Sequence, residues 1–399
     1  MYLSPIIIFL IPWIFGSITT YYYSNNSAVF SDLSSTGIWY LSLLALFMFY
    51  SILIFNIQRR ERVDIENIVK KKLNFNSLKQ LVTLIVIAHF SIMILAIVYS
   101  SGFPLYWIFT NDTKTYAEYG IPTISGLGNM IRAFGLVGSL ILYLYGTKAQ
   151  KRTGLYSAIY FLFTAFFIEL SRGNGSVMIA HAIGFYFLIK KISFKNTLST
   201  ALAILVFIPF FSFLQILRYG DFELERANEQ LINVGIYDTS VSNLFLTPLI
   251  LYTSTPIMNM DLNLQRAPDF KFSPDASIET LVPTFVRNII YTRRDYINDC
   301  GDLISCAYNT TSFLTPLIKD FGRYGALFFA ILILMISSFI YSKAREGSLY
   351  YILLWPPVFM SLIFSSFNMY FSSLVVVLYP LVISLSYNFL IKKQKSKFE

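Results

Sequence analysis

The chain has 399 residues, of which 55% are hydrophobic and only 13% charged, with a mean hydropathy of +0.59. A soluble domain could not cover its surface with so few charges, so composition excludes one and indicates an integral membrane protein. The formal net charge of +9 sits in short clusters between apolar runs, which suits loops against anionic lipid headgroups and gives no case for nucleic acid.

Continuous apolar runs of roughly twenty residues recur along the chain, the length a helix needs to cross a hydrocarbon layer of about 30 Å. Because the runs are continuous and not alternating, a closed β-barrel is disfavoured. The fold class expected is therefore all-α and polytopic. The first run, YLSPIIIFLIPWIFGSITTYYY, lacks a basic n-region and a small-residue cleavage site, so it reads as a retained span and not a signal peptide.

Basic clusters then set the threading. They comprise Arg59 to Lys79, Lys148 to Arg152, Lys190 to Lys195, Lys343 with Arg345, and Lys392 to Lys397. Placing each in the cytoplasm gives about ten spans, near residues 4–22, 38–57, 81–101, 126–146, 155–170, 176–189, 198–217, 323–342, 349–366 and 370–390, with both termini cytoplasmic. Three regions follow: an N-terminal bundle over 1–217, a large outer loop over 218–322, and C-terminal spans with a basic tail over 323–399.

The outer segment carries eight Lys and Arg against thirteen Asp and Glu, so the positive excess belongs to the other side. Its apolar run NLFLTPLILYTSTPIM would flip every later cluster if it crossed alone. It is expected outside, as a helix at the membrane surface or a re-entrant piece broken at Pro248 and Pro256. Cys300 and Cys306 fall in this segment; their spacing allows a small disulfide loop in an oxidising compartment, or two free thiols. No Cys or His lies near enough to complete a zinc site, and no metal or cofactor is expected.

The stretch IELSRGNGSVMIAH, Ile168 to His181, places charge where burial is costly. Glu169 and Arg172 stand one helical turn apart and could pair with each other. Gly173 and Gly175 are expected to unwind the backbone ahead of the next helix, whose N-terminus with Arg172 beside it would hold an anion. Arg132 opens the fourth span, and Arg218, Arg226, Arg287, Arg294 and Arg323 fall on the same predicted side. A guanidinium fork suits pyrophosphate, although any one of these could be an interfacial snorkelling residue. His89 reads as a helix-to-helix hydrogen bond, and His181 could face the same cavity as Arg172. There is no P-loop, no GxGxxG and no Asp-x-Asp pair, so soluble nucleotides are not supported.

The many spans, the large late outer loop, SRGNGS in a short outer turn and NTTSFLTPLIKDFGRYGALFFAILI leading into a span together resemble the oligosaccharide repeat-unit polymerases, the Wzy-type O-antigen polymerases. The likeness covers most of the chain as an architecture and is specific only from Pro316 to Gly325 and in the Arg-Gly turn. It implies a membrane glycosyltransferase of C-type architecture, acting in lipopolysaccharide biosynthesis at the periplasmic face of a bacterial inner membrane. Its substrates would be undecaprenyl-pyrophosphate-linked glycans and its partner a chain-length regulator. Arg172, Arg218, Arg226, Arg287, Arg294 and Arg323 would bind pyrophosphate or glycan without a metal. Glu169 is the first choice of general base, with Asp320 next and His181 the only histidine available. A lipid-linked oligosaccharide flippase is the alternative, weakened by the absence of an internal repeat, and a sugar O-acetyltransferase ranks last.

Overall fold

The computed structural model of the protein describes residues 4–24, 33–54, 63–110, 112, 114, 118–190, 210, 213–214, 241–278, 281–282, 286, 302–304 and 310–392. The described residues are overwhelmingly helical, and the sole strand-like feature among them is an isolated bridge between Leu73 and Ile391. The helices are α1 (Pro5–Ser24), α2 (Ser35–Ile54), α3 (Ile65–Lys72), α4 (Phe75–Ser100), α5 (Pro104–Thr110), α6 (Ile124–Tyr145), α7 (Lys148–Phe163), α8 (Arg172–Ile189), α9 (Val241–Arg266), α10 (Asp275–Ile278), α11 (Leu314–Arg345), α12 (Leu349–Ile363) and α13 (Leu374–Leu390). The seventh expected span, 198–217, lies almost wholly outside the described residues.

Three stretches, Phe75–Thr110, Ile124–Tyr145 and Leu314–Arg345, are helical, long and apolar enough to cross a membrane. α1, α2, α12 and α13 contain shorter apolar helices. Large apolar side chains stand exposed along these helices, among them Leu84, Ile87 and Phe90 of α4 and Phe328, Leu332 and Ile336 of α11. Water would not tolerate such stripes on a monomer, whereas acyl chains would. The opposite side of α11 buries Ala326, Ala330, Leu334 and Ser338, so its small residues face its neighbours, as they do where helices approach without a hydrophobic drive between them.

One end of the bundle is knitted by α3. Asp64 caps this helix by accepting from the Asn67 amide at 3.1 Å, and Ile65, Val69 and Leu73 are buried beneath it. Glu66 takes Lys190 of the α8 terminus at 2.6 Å and Lys70 at 2.7 Å. Those hydrogen bonds, Lys190 first, hold the Glu66 carboxyl below the usual carboxylate range despite some desolvation. The α13 terminus joins through the Lys392 amide to the Lys72 carbonyl at 2.9 Å, and Arg345 at the end of α11 donates to the Leu188 carbonyl at 3.2 Å. Basic residues far apart in the chain thus meet at a single end.

At the other end, α9 departs from expectation. It runs as one helix through Pro248 and Pro256, and it is not broken at either. Nor does its second half lie on a surface: residues 254–261 are buried, and α9 packs against α1, α2 and α11. Its polar side chains are satisfied internally. Ser254 donates to Thr19 at 2.8 Å, Asp261 accepts from the Ser34 hydroxyl at 2.6 Å, and the Asn259 amide donates to the Thr310 carbonyl at 2.8 Å. Buried polar groups with partners cost little, and α9 therefore belongs inside the bundle.

After α9 the chain lies along the start of α11. The Lys271 amide donates to the Phe321 carbonyl, the Ser273 amide to Asp320, the Arg323 amide to Pro268 and the Tyr324 amide to Asp269, at 2.9–3.1 Å. α11 is kinked where these bonds form, at Gly322, whose φ of +72° and ψ of −174° suit glycine. A Cβ there would also meet the Pro268 carbonyl oxygen at 2.6 Å.

Candidate functional site

α7 does not run straight into the turn before α8. Thr164–Ile168 form a π-helical turn, in which the Glu169 amide donates back five residues to the Thr164 carbonyl at 2.9 Å. Such an inserted turn rotates everything after it and often marks a functional position. Leu170 then adopts φ +46°, a left-handed conformation rare for a branched side chain, while fully buried. Ser171 closes the turn by capping α8, its hydroxyl accepting from the Asn174 amide at 3.2 Å.

The rotation aims Glu169 at α6 and not at Arg172. Arg132 grips the carboxylate with both terminal nitrogens, Nη1 to Oε1 and Nη2 to Oε2, each at 2.8 Å. Asn174 donates to Oε2 at 3.0 Å, and Arg132 reaches Asn129 as well. The Arg132 side chain has no exposed surface, so this fork is a desolvated, charge-assisted pair of the strong bidentate kind. The expected Glu169–Arg172 pairing is thereby corrected: the π-helical turn sets the two residues facing different helices.

Beside the pair lies a cavity of about 160 Å³, lined by His89, Met93, Tyr119, Asn129, Glu169 and Asn174 among others. His89 bonds the Tyr160 hydroxyl at 2.9 Å, the helix-to-helix contact expected of it, and also lines this space. Among the described residues the Tyr119 hydroxyl and the Arg132 Nε have no hydrogen-bond partner. Buried donors of that kind need an explanation, and a polar ligand or water supplies one.

Arg172 is buried at the start of α8 and turns toward α9, where it donates to the Tyr252 hydroxyl at 2.8 Å with its guanidinium 5.1 Å from the ring centre. Tyr252 packs in turn on Phe367. The glycines do not unwind the backbone as expected; both lie within α8. Gly175 is needed for closeness, because a Cβ there would strike the Phe166 ring, whereas Gly173 faces open space.

The remaining candidates are placed elsewhere. The Asp320 carboxylate is buried and accepts from the Ala276 and Ser277 amides at 2.9 and 2.6 Å, capping α10. It holds the segment after α9 in place and is occupied by that duty. Arg323 donates to the Leu264 and Gln265 carbonyls at 3.1 and 3.0 Å, closing the C-terminus of α9. His181 is buried two turns along α8, where it donates from Nδ1 to the Val177 carbonyl at 2.6 Å and stacks on Tyr379; it is not brought to Glu169. Arg218, Arg226, Arg287 and Arg294, and the cysteines Cys300 and Cys306, lie outside the described residues.

Among the described residues no group of three His, Cys, Asp or Glu converges as metal ligands would. Sequence reasoning noted Arg132 without giving it a role. The signal was present: Glu169 is the one acid in the ten predicted spans, and a buried cation needs an anion. Tyr252 and Tyr119 carried no such mark. Comparison with protein-family models, with curated proteins and with solved structures finds no match.

Proposed function

We propose that the chain is a membrane polysaccharide polymerase that joins undecaprenyl-pyrophosphate-linked oligosaccharide repeat units at the periplasmic face of a bacterial inner membrane. In this reading about ten spans adopt a C-type glycosyltransferase architecture, both termini are cytoplasmic, and a chain-length regulator is the protein partner. The observation that carries it is the buried Arg132–Glu169 pair beside a polar cavity, with Arg172 on the adjoining helix. Charge this deep in an apolar bundle is retained for a task.

The chemistry follows from the charges. A hydroxyl oxygen of the acceptor sugar bonds to the anomeric carbon of the donor glycan, whose bond to the pyrophosphate oxygen breaks. The leaving lipid pyrophosphate takes the electron pair, and arginines stabilise its growing charge without a metal. Arg172 is the described residue assigned to that role. Glu169 receives the hydroxyl proton: a carboxylate has about four acceptor positions, and Arg132 and Asn174 fill three of them. One position remains for substrate.

Purified full-length protein in lipid nanodiscs, supplied with lipid-linked repeat units extracted from its host, should yield dimers and longer products. Glu169→Gln and Arg172→Ala should each lower the rate at least a hundredfold, the scale of losing a positioned base or an anion-stabilising group. Absence of any elongated product from the wild-type protein would sink the proposal.

A further inference from the structure

The geometry points to the cavity beside Glu169 as a seat for an uncharged sugar ring of the glycan, and not for the diphosphate. This rests on the proposed function and narrows it, since the diphosphate end of a lipid-linked glycan is anionic and a sugar ring without an acidic group is neutral.

The charge at the cavity decides which end fits. No guanidinium is among its lining residues: Arg132 lies beside it, matched by Glu169 through two bonds of 2.8 Å. The pair is neutral overall, and the carboxylate itself lines the space. A diphosphate placed there would meet a negative oxygen at close range in a medium of low effective dielectric, where like charges repel strongly. Sugar hydroxyls, by contrast, both donate and accept.

The lining offers both functions. Tyr119 brings a hydroxyl without a partner among the described residues, and Glu169 keeps one acceptor position open. Asn174, which also lines the space, donates to that carboxylate at 3.0 Å and helps to fix its position. In the same lining Ile92, Met93 and Ala96 provide apolar surface for the C–H face of a ring. A few fixed polar groups against an apolar wall is the usual make-up of a small-molecule site.

Two ligands separate the possibilities: host-extracted lipid-linked repeat units, and undecaprenyl pyrophosphate bearing no sugar. Binding of each to the full chain in nanodiscs is measured for wild type, Tyr119→Phe and Asn174→Ala. Tyr119→Phe removes a single oxygen, and unchanged thermal unfolding verifies its fold. The expected result is binding of the glycan-bearing lipid weakened about tenfold in each variant, the weight of one hydrogen bond, with the sugar-free lipid unaffected. Equal weakening for both lipids, or none for either, would overturn the inference while leaving the polymerase proposal standing. Failure of the wild-type protein to bind either lipid would overturn both.

Discussion

An arginine with no exposed surface keeps its charge only if the fold supplies an anion, and among the described residues Glu169 is the carboxylate that Arg132 contacts. Removing one member of such a pair leaves the other charged and desolvated. Arg132→Ala should therefore destabilise the protein by about 3 kcal/mol or more, whereas the double variant Arg132→Met with Glu169→Leu should lose less than either single change. Thermal unfolding in detergent checks this, and additive losses would refute the pairing. The two glycines of the same turn make a sharper contrast. Gly175→Ala drives a methyl into the Phe166 ring and should cost about 1–3 kcal/mol. Gly173→Ala meets nothing and should gain up to about 1 kcal/mol from helix propensity. At this scale the sequence disclosed which residues were costly to bury but not their partners. Proximity along the chain favoured Arg172 for Glu169, and a π-helical turn, invisible in composition, chose Arg132.

Elements were legible where hydrophobicity alone decides and obscure where polar groups are satisfied across helices. α1, α2, α4, α6 and α13 fall on their predicted spans within a few residues at most ends, because each is a plain apolar run. Charge alternation alone placed the run of α9 outside, because a lone crossing would flip every later basic cluster, whereas Ser254, Asn259 and Asp261 each find a partner inside the bundle. The Asp-Phe-Gly-Arg stretch, 320–323, suggested chemistry and instead fastens the chain that follows α9 to the kink of α11. That function is testable on its own. Asp320→Ala removes the acceptor of two amides, and Gly322→Ala adds strain at a positive φ. Amide hydrogen exchange over residues 268–278 should quicken at least tenfold in both variants while α4 and α6 stay protected. Uniform quickening throughout the chain would instead mean that the segment is not a separate latch.

Across the whole molecule, helix direction and charge agree. Lys70, Lys190, Arg345 and Lys392, separated by up to 322 positions in the sequence, converge around α3 and the α8 terminus at one end of the bundle. Glu169, Arg172 and Arg323 lie at the opposite ends of their helices: Arg172 opens α8, which closes at Lys190, and Arg323 opens the long part of α11, which closes at Arg345. Alternation of this kind is what a chain crossing a bilayer repeatedly must show, and a basic surplus on one face orients it. Under the proposed threading, single cysteines introduced at Lys71 and Lys392 in a background lacking Cys300 and Cys306 should be shielded from a membrane-impermeant maleimide in intact spheroplasts and react after lysis. A cysteine at the exposed Phe272, next to the α11 kink, should react before lysis. Labelling of Lys71 and Phe272 from the same side would leave Arg172 without its periplasmic address. The diphosphate chemistry would then lose its ground, because lipid-linked glycans displayed on the outer leaflet could not reach that end of the bundle.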